Sequence, residues 1–308
     1  MPLPPLPAVE HGRLAYDVVD VFTDVAYGGN PLAVVHGADA LSTTQLQAVA
    51  REFNLSETAF PLPPSGAEVA AGATYALRIF TPVAELPYAG HPSVGTAWLL
   101  RERELVTGPR IVQACGAGVL PLDLAGEGGA VRLAGGEPVW SEPLDPAAGL
   151  AATGLAETDL DPVAPARMSG VGIGYLVIPV RPEALARCVP NPGELAGFAH
   201  PVSATTGVYV VAWEPATGTA QARMFAGDLG VPEDPATGSA AGALAVWLAV
   251  SGLVPDGESA FTVLQGLEMG RPSRMEATVT VVDGRPTATS VAGRSQHVAC
   301  GQLLAPPA

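Results

Sequence analysis

Apolar and polar positions alternate along this chain in short runs broken by glycine and proline, the pattern of a protein built mostly of strands. It predicts strands over 14–21, 32–35, 58–62, 75–80, 110–114, 118–124 and 130–133. Further strands are predicted over 174–180, 207–213, 221–225, 261–265, 274–282 and 286–292. A helix over 43–53 is expected from Leu46, Val49, Ala50 and Phe53 on one face, with Ser42 or Thr43 as its cap. Short helices are expected over 182–188 and 192–198, and the proline-, glycine- and acid-rich stretch 135–165 reads as a linker.

Two stretches depart from this pattern. In the first, a loop through Gly90 runs into Val94, Gly95, Ala97, Trp98, Leu99 and Leu100, with His91 at the cap position and Pro92 at the first helical position. A helix apolar on most faces belongs in a core, and its first N–H groups would favour an anion. The second, residues 238–248, again starts with small residues and ends near Trp247-Leu248. Upstream, Arg78-Ile79-Phe80 is echoed by Arg223-Met224-Phe225, 145 residues on (223 − 78). Strand, loop and helix thus recur in the same order, as in two related halves. The strands do not alternate with amphipathic helices as βαβ units require, so a sheet curling around one buried helix fits each half better.

With 308 residues there is length for two cores, and a hydrophobic content of 48% with 15% charged residues describes a globular chain. The net charge of −15 argues against nucleic acid and anionic membrane as partners, though not against a small anionic substrate held locally. The chain has no lysine, which excludes Schiff-base chemistry and a lysine phosphate clamp. Cys115, Cys188 and Cys300 are widely spaced and form no ligand motif, so no metal is expected. Residues 1–8 read as a proline-rich frayed tail, not a secretory signal, and no run is long and apolar enough to span a bilayer. A cytoplasmic, reduced protein is the expectation.

Three polar residues carry the candidate chemistry. Glu57 enters a strand among apolar residues, where desolvation would suit a carboxyl to proton transfer; a solvent-facing strand start is the alternative. Asp234 precedes Gly238 and Ser239, which either make an ordinary helix start or form, with the backbone N–H groups, a compact oxyanion site. His91, near a helix N-terminus, is expected to be neutral, either as a satisfied buried ring or as a partner for a substrate hydroxyl or carboxylate. If the halves face each other, both glycine loops border one pocket. Asp17 and Asp20 read as structural, and Arg271 as a carboxylate ligand or an exposed ion pair.

Taken in order, Gly29-Asn30-Pro31, Asn54-Leu55-Ser56-Glu57-Thr58, Arg78-Ile79-Phe80-Thr81-Pro82, Ala89-Gly90-His91-Pro92, Asp234 with Ala236-Thr237-Gly238-Ser239, and Gln265-Gly266 with Gly270-Arg271-Pro272 resemble the PhzF-like family of phenazine-biosynthesis isomerases. The likeness spans nearly the whole chain. It implies the diaminopimelate epimerase-like α+β fold: two pseudo-symmetric lobes, each a β-barrel around a central apolar helix. The lobes are expected at 1–138, with the helix about 91–103, and at 139–308, with the helix about 238–251. It implies a homodimer and an isomerase without cofactor, acting on a small cyclic carboxylic acid of the dihydro-hydroxyanthranilate kind. In that family the proton-moving glutamate falls on Glu57, and the substrate-orienting groups on His91, Asp234 and Ser239, with Gly90 and Gly238 in the two loops. The epimerase branch uses two cysteines where this chain has Ala89 and Thr237, which disfavours a two-thiol racemase. A non-thiol epimerase of an amino-acid derivative and a non-catalytic small-molecule binder remain the alternatives.

Overall fold

The computed structural model describes Leu3 and residues 12–124, 126–195, 205–226 and 232–307. Apart from Leu3, the expected N-terminal tail lies outside the described residues, as does the end of the helix expected over 192–198. The chain divides into two compact units, Met1–Leu133 with Ala292–Ala308, and Ala134–Val291.

The strands of the first unit are β1 (Arg13–Val21), β2 (Asn30–His36), β3 (Glu57–Leu62), β4 (Tyr75–Phe80), β5 (Glu85–Leu86), β6 (Arg110–Cys115), β7 (Gly118–Asp123) and β8 (Val131–Ala134). Its helices are α1 (Thr43–Phe53), α2 (Gly66–Ala70) and α3 (Gly90–Glu102). Ser42 caps α1 through a capping box with Gln45, and Asn54 ends it in the left-handed region. Leu46, Val49 and Ala50 pack with Leu14, Val35, Phe60 and Phe80 on one side of the sheet. On the other side, α3 lies against β1, β2 and β3. Gly95 makes that contact possible: a Cβ there would sit 2.5 Å from Val21 Cγ2 and 2.8 Å from Leu32 Cδ2.

The second unit contains β9 (Pro138–Trp140), β10 (Arg167–Val171), β11 (Gly174–Pro179), β12 (Thr205–Glu214), β13 (Thr219–Phe225), β14 (Glu233–Asp234), β15 (Gly257–Gln265), β16 (Ser273–Val282) and β17 (Arg285–Gly293). Its helices are α4 (Ala147–Ala152), α5 (Pro182–Leu185), α6 (Pro192–Leu195) and α7 (Gly238–Val250). Every residue of α7 from Gly238 to Ala249 is buried. Stretch 135–165 is not a linker. Leu150, Ala152 and Leu155 join Ile178, Val208 and Phe225 in a core, because apolar residues recur among its prolines and glycines.

The two units repeat one topology. In the first, β1/β2 pair antiparallel, β2/β3 parallel, β3/β4 and β4/β5 antiparallel, β4/β6 parallel and β6/β7 antiparallel. The same six relations, in the same order, hold for β10/β11, β11/β12, β12/β13, β13/β14, β13/β15 and β15/β16. Each parallel pair is joined through a connection that contains a helix, as the long crossover of parallel pairing allows. Arg78 pairs with Glu85 and lies over the Phe80 ring, as Arg223 pairs with Glu233 and lies over the Phe225 ring.

The last strand, β18 (Ser295–Leu304), pairs with β1 from Arg13 to Val21. The end of the chain therefore belongs to the first unit, whereas a single boundary near 138 would assign it to the second. Gln296, His297 and Gln302 give β18 no apolar alternation to betray it. His297 and His36 hydrogen-bond to the fully buried Asp17, which also pairs with Arg103 at the end of α3. Burial raises the Asp17 carboxyl, but the bonds from His36, Arg103 and His297 and the charge of Arg103 outweigh it and hold it at about 2. Asp20 accepts from the Tyr27 backbone N–H at 2.6 Å. No described helix is long and apolar enough to cross a membrane.

Two outcomes follow for stability. Trp247 is fully buried and donates from Nε1 to Pro165 O at 2.9 Å, so Trp247→Ala should lower unfolding free energy by about 3–5 kcal/mol. Trp98, only partly buried, should matter less; equal denaturant midpoints for the two alanine variants would contradict this packing. Asp17, held below its ordinary 3.8, contributes stability that is full above that value and is lost as pH falls toward about 2. Asp17→Asn should flatten the stability profile across that window, read by denaturant unfolding at each pH.

Candidate functional site

In the first unit the candidate residues gather at the N-terminal end of α3. Its N-cap is Ala89, which makes no side-chain cap bond, and Gly90 is its first residue. His91 is therefore not the cap but the second helical residue, two positions further in than the proline pattern predicts. Pro92 still fits, because first-turn N–H groups have no helical acceptor. Glu57 opens β3, and its Oε2 lies 3.1 Å from His91 Nδ1. Asn30 opens β2, and its Nδ2 is 3.4 Å from the same nitrogen.

His91 is 4% exposed. Burial drives its imidazole down to about 3, against the small opposing effect of a backbone hydrogen bond with Pro31. The Glu57 carboxylate thus lies beside a neutral ring at 3.1 Å, not in an ion pair with a cation. His91 Nε2, shielded from solvent, has no hydrogen-bond partner among the described residues. Behind the helix start, Tyr75 donates to Gln113 Oε1 at 2.9 Å, Gln113 Nε2 donates to Ser93 Oγ at 2.9 Å, and Ser93 Oγ donates to Ala89 O.

The second unit places its candidates at the start of α7. Gly238 is the first helical residue, Ser239 the second, and Thr237 the N-cap. The Thr237 hydroxyl does not cap the helix; it donates to Asp234 Oδ2 at 2.6 Å. Ser239 Oγ and Tyr175 OH are 2.7 Å apart, both buried. Gln265, at the end of β15, donates to Asp234 O at 2.7 Å and Thr237 Oγ1 at 3.0 Å, and accepts from Tyr209 OH at 3.1 Å. The hairpin after β15 braces this loop, since Ser273 Oγ donates to Pro235 O and Gly266 leaves no room for a Cβ beside Pro235 O.

The structure thus joins Glu57 to His91 in one unit and sets Asp234 beside the Gly238–Ser239 helix start in the other. The two helix starts correspond: Glu85 and Gly90 recur as Glu233 and Gly238, each 148 positions on (233 − 85, 238 − 90). Sequence reasoning passed over the side chains of Tyr175, Tyr209 and Gln265; the Gln265-Gly266 dipeptide was the only signal for the last. Cys188 is buried beneath α5, its thiol pushed up to about 11. Cys115 and Cys300 lie on β6 and β18, so none of the three stands at a helix start. Asp17, His297 and Cys300 do bring ligand-type atoms within 4.8 Å of one another, a grouping hidden by their spacing. The Arg103 guanidinium on the same carboxylate opposes a cation there.

Comparison with known proteins gives this arrangement its class. An uncharacterized isomerase of Mesorhizobium japonicum is 37% identical, the match covering 94% of this chain and 98% of the relative. The trans-2,3-dihydro-3-hydroxyanthranilate isomerase of Pseudomonas aeruginosa is 35% identical over 93% of this chain and 98% of its own. The crystal structure of the Bacillus anthracis phenazine biosynthesis protein of the PhzF family superposes with a TM-score of 0.83 at 26% identity, covering 95% of this chain and 99% of that one. The class is that of an isomerase. More particularly, the chain belongs to the family described as phenazine biosynthesis-like protein, whose model matches residues 19–301.

The protonation of His91 can be checked directly. Its ring ¹⁵N shifts should remain those of neutral imidazole from pH 8 to pH 5, where an ordinary histidine charges. Because the value is depressed from 6.5 to about 3, the unfolded chain takes up the proton first, and the stability His91 contributes is lost as pH falls through that interval.

Proposed function

We propose that this protein moves a proton between carbon atoms of a small, cyclic, dihydro-hydroxyanthranilate-like carboxylic acid, without a cofactor. The observation that carries the reading is the 3.1 Å approach of Glu57 to a buried, neutral His91. A cationic partner would hold the carboxylate in an ion pair and weaken it as a base; a neutral imidazole leaves it able to accept a proton. Glu57 takes the proton from one carbon and returns it to another. His91 orients a polar group of the substrate, and Asp234 and Ser239 hold others.

The starts of α3 and α7 have no side-chain caps. Such ends suit a carboxylate or a developing oxyanion, with Gly90 and Gly238 bringing the backbone close. The substrate class is supported by the name of the P. aeruginosa relative at 35% identity. On the same reading, the two units are the two lobes of the fold, each sheet closing around its helix as a barrel, and the protein acts as a cytoplasmic homodimer.

The test is solvent deuterium incorporation during turnover of trans-2,3-dihydro-3-hydroxyanthranilate. Wild type should place label on carbon, and Glu57→Gln should lose about 10²–10⁴ of the rate while still folding. Equal activity in the two proteins would remove Glu57 from the mechanism.

A further inference from the structure

We infer that Gln265 is a positioning residue that, through Thr237, dictates which oxygen of Asp234 can exchange a proton. The inference follows from the direction of each hydrogen bond in a buried chain. The Asp234 backbone carbonyl can only accept, so the group 2.7 Å from it must be the Gln265 NH₂, which fixes the orientation of that amide. The Gln265 oxygen then faces Tyr209, which must donate to it. Tyr209 is able to do so throughout the working range, because burial pushes its phenol far above the ordinary value, with Tyr175 and Asp234 adding to the effect.

The other Gln265 N–H points at Thr237 Oγ1, 3.0 Å away. An amide N–H cannot accept, so the threonine hydroxyl must accept there and send its single hydrogen elsewhere. The available acceptor is Asp234 Oδ2 at 2.6 Å. That oxygen is committed as an acceptor, and a proton gained or lost by Asp234 is directed to Oδ1. Gln265 and Tyr209 are both fully buried, so water does not compete for these bonds and the sense of the chain does not reverse.

The contribution to turnover rests on the proposed isomerase reading, whereas the hydrogen-bond direction does not. The experiment therefore has two arms, both on the full-length protein. In the first, aspartate labelled with ¹³C at the carboxyl is incorporated, and the Asp234 resonance is assigned by its loss in Asp234→Asn. Thr237→Val should raise the pH at which that resonance titrates by about one unit, since a bond to the charged form is lost. Thr237→Ser, which keeps the hydroxyl, should titrate with wild type. Gln265→Leu should shift the midpoint in the same direction, and Thr237→Val/Gln265→Leu should shift it no further than Thr237→Val, because the glutamine acts through the threonine.

A wild-type midpoint in Thr237→Val or in Gln265→Leu, or a double-variant shift equal to the sum of the two, overturns the inference. Should Gln265→Leu fail to fold, the contrast between Thr237→Val and Thr237→Ser decides it alone. In the second arm, Thr237→Val should lower kcat about 10- to 100-fold with KM changed less than about threefold, and Thr237→Ser should recover most of that loss. If wild type turns over none of the cyclohexadiene acids, the isomerase reading fails while the first arm still decides the positioning role.

Discussion

A helix with no face toward water must be surrounded by other chain, and that requirement governs both units. Buried from Gly238 to Ala249, α7 has no polar side for solvent. Such a segment is stable only where strands cover it, and strands approach only where side chains are small, as Gly95 against Val21 and Leu32 and Gly242 against Val171 illustrate. Charged groups sit only toward the ends of the two helices. At the far end of α3, Arg103 meets Asp17 with two histidines around it. The near ends are where the candidate chemistry gathers.

Those near ends carry backbone N–H groups aimed outward and a positive dipole end. Neither has a side-chain cap, although Thr237 is well suited to be one. Its hydroxyl is turned to Asp234 instead, and the local stabilisation a cap would bring is given up for that bond. Burial of His91 has a similar logic. An imidazole kept neutral next to Glu57 brings no positive charge, so no ion pair neutralises the carboxylate.

The repeated topology separates scaffold from chemistry. Paired positions around the helix starts keep the elements that build them: Arg78–Glu85 matches Arg223–Glu233, and Gly90 matches Gly238. The candidate site positions differ between the two units. His91 is matched by Ser239, Ala89 by Thr237 and Leu86 by Asp234. Near the start of the equivalent strands β2 and β11, Asn30 reaches His91 and Tyr175 reaches Ser239, two different side chains contacting the second residue of equivalent helices. One topology thus occurs twice, with Glu57 and His91 at one helix start and Asp234 and Ser239 at the other.

Much of this was legible in the residues themselves. Apolar alternation marked most strands, because a strand covered on one side must alternate. The two small-residue helices and the recurrent Arg-x-Phe marked the repeat, and Glu57, His91 and Asp234 stood out as polar groups in apolar surroundings. What escaped was what depends on partners distant in the chain. Strand β18 looked polar because its pairing with β1, not its own pattern, holds it in place. The stretch 135–165 looked like a linker because prolines and glycines masked the leucines that enter a core. Gln265, Tyr209 and Tyr175 are ordinary strand residues in one dimension. Local sequence dictated which segments could be strand or buried helix, through side-chain volume and polarity. Tertiary structure alone decided which buried hydroxyl meets which carboxylate, because a hydrogen bond is fixed by the position of both partners and the sequence records only their kinds.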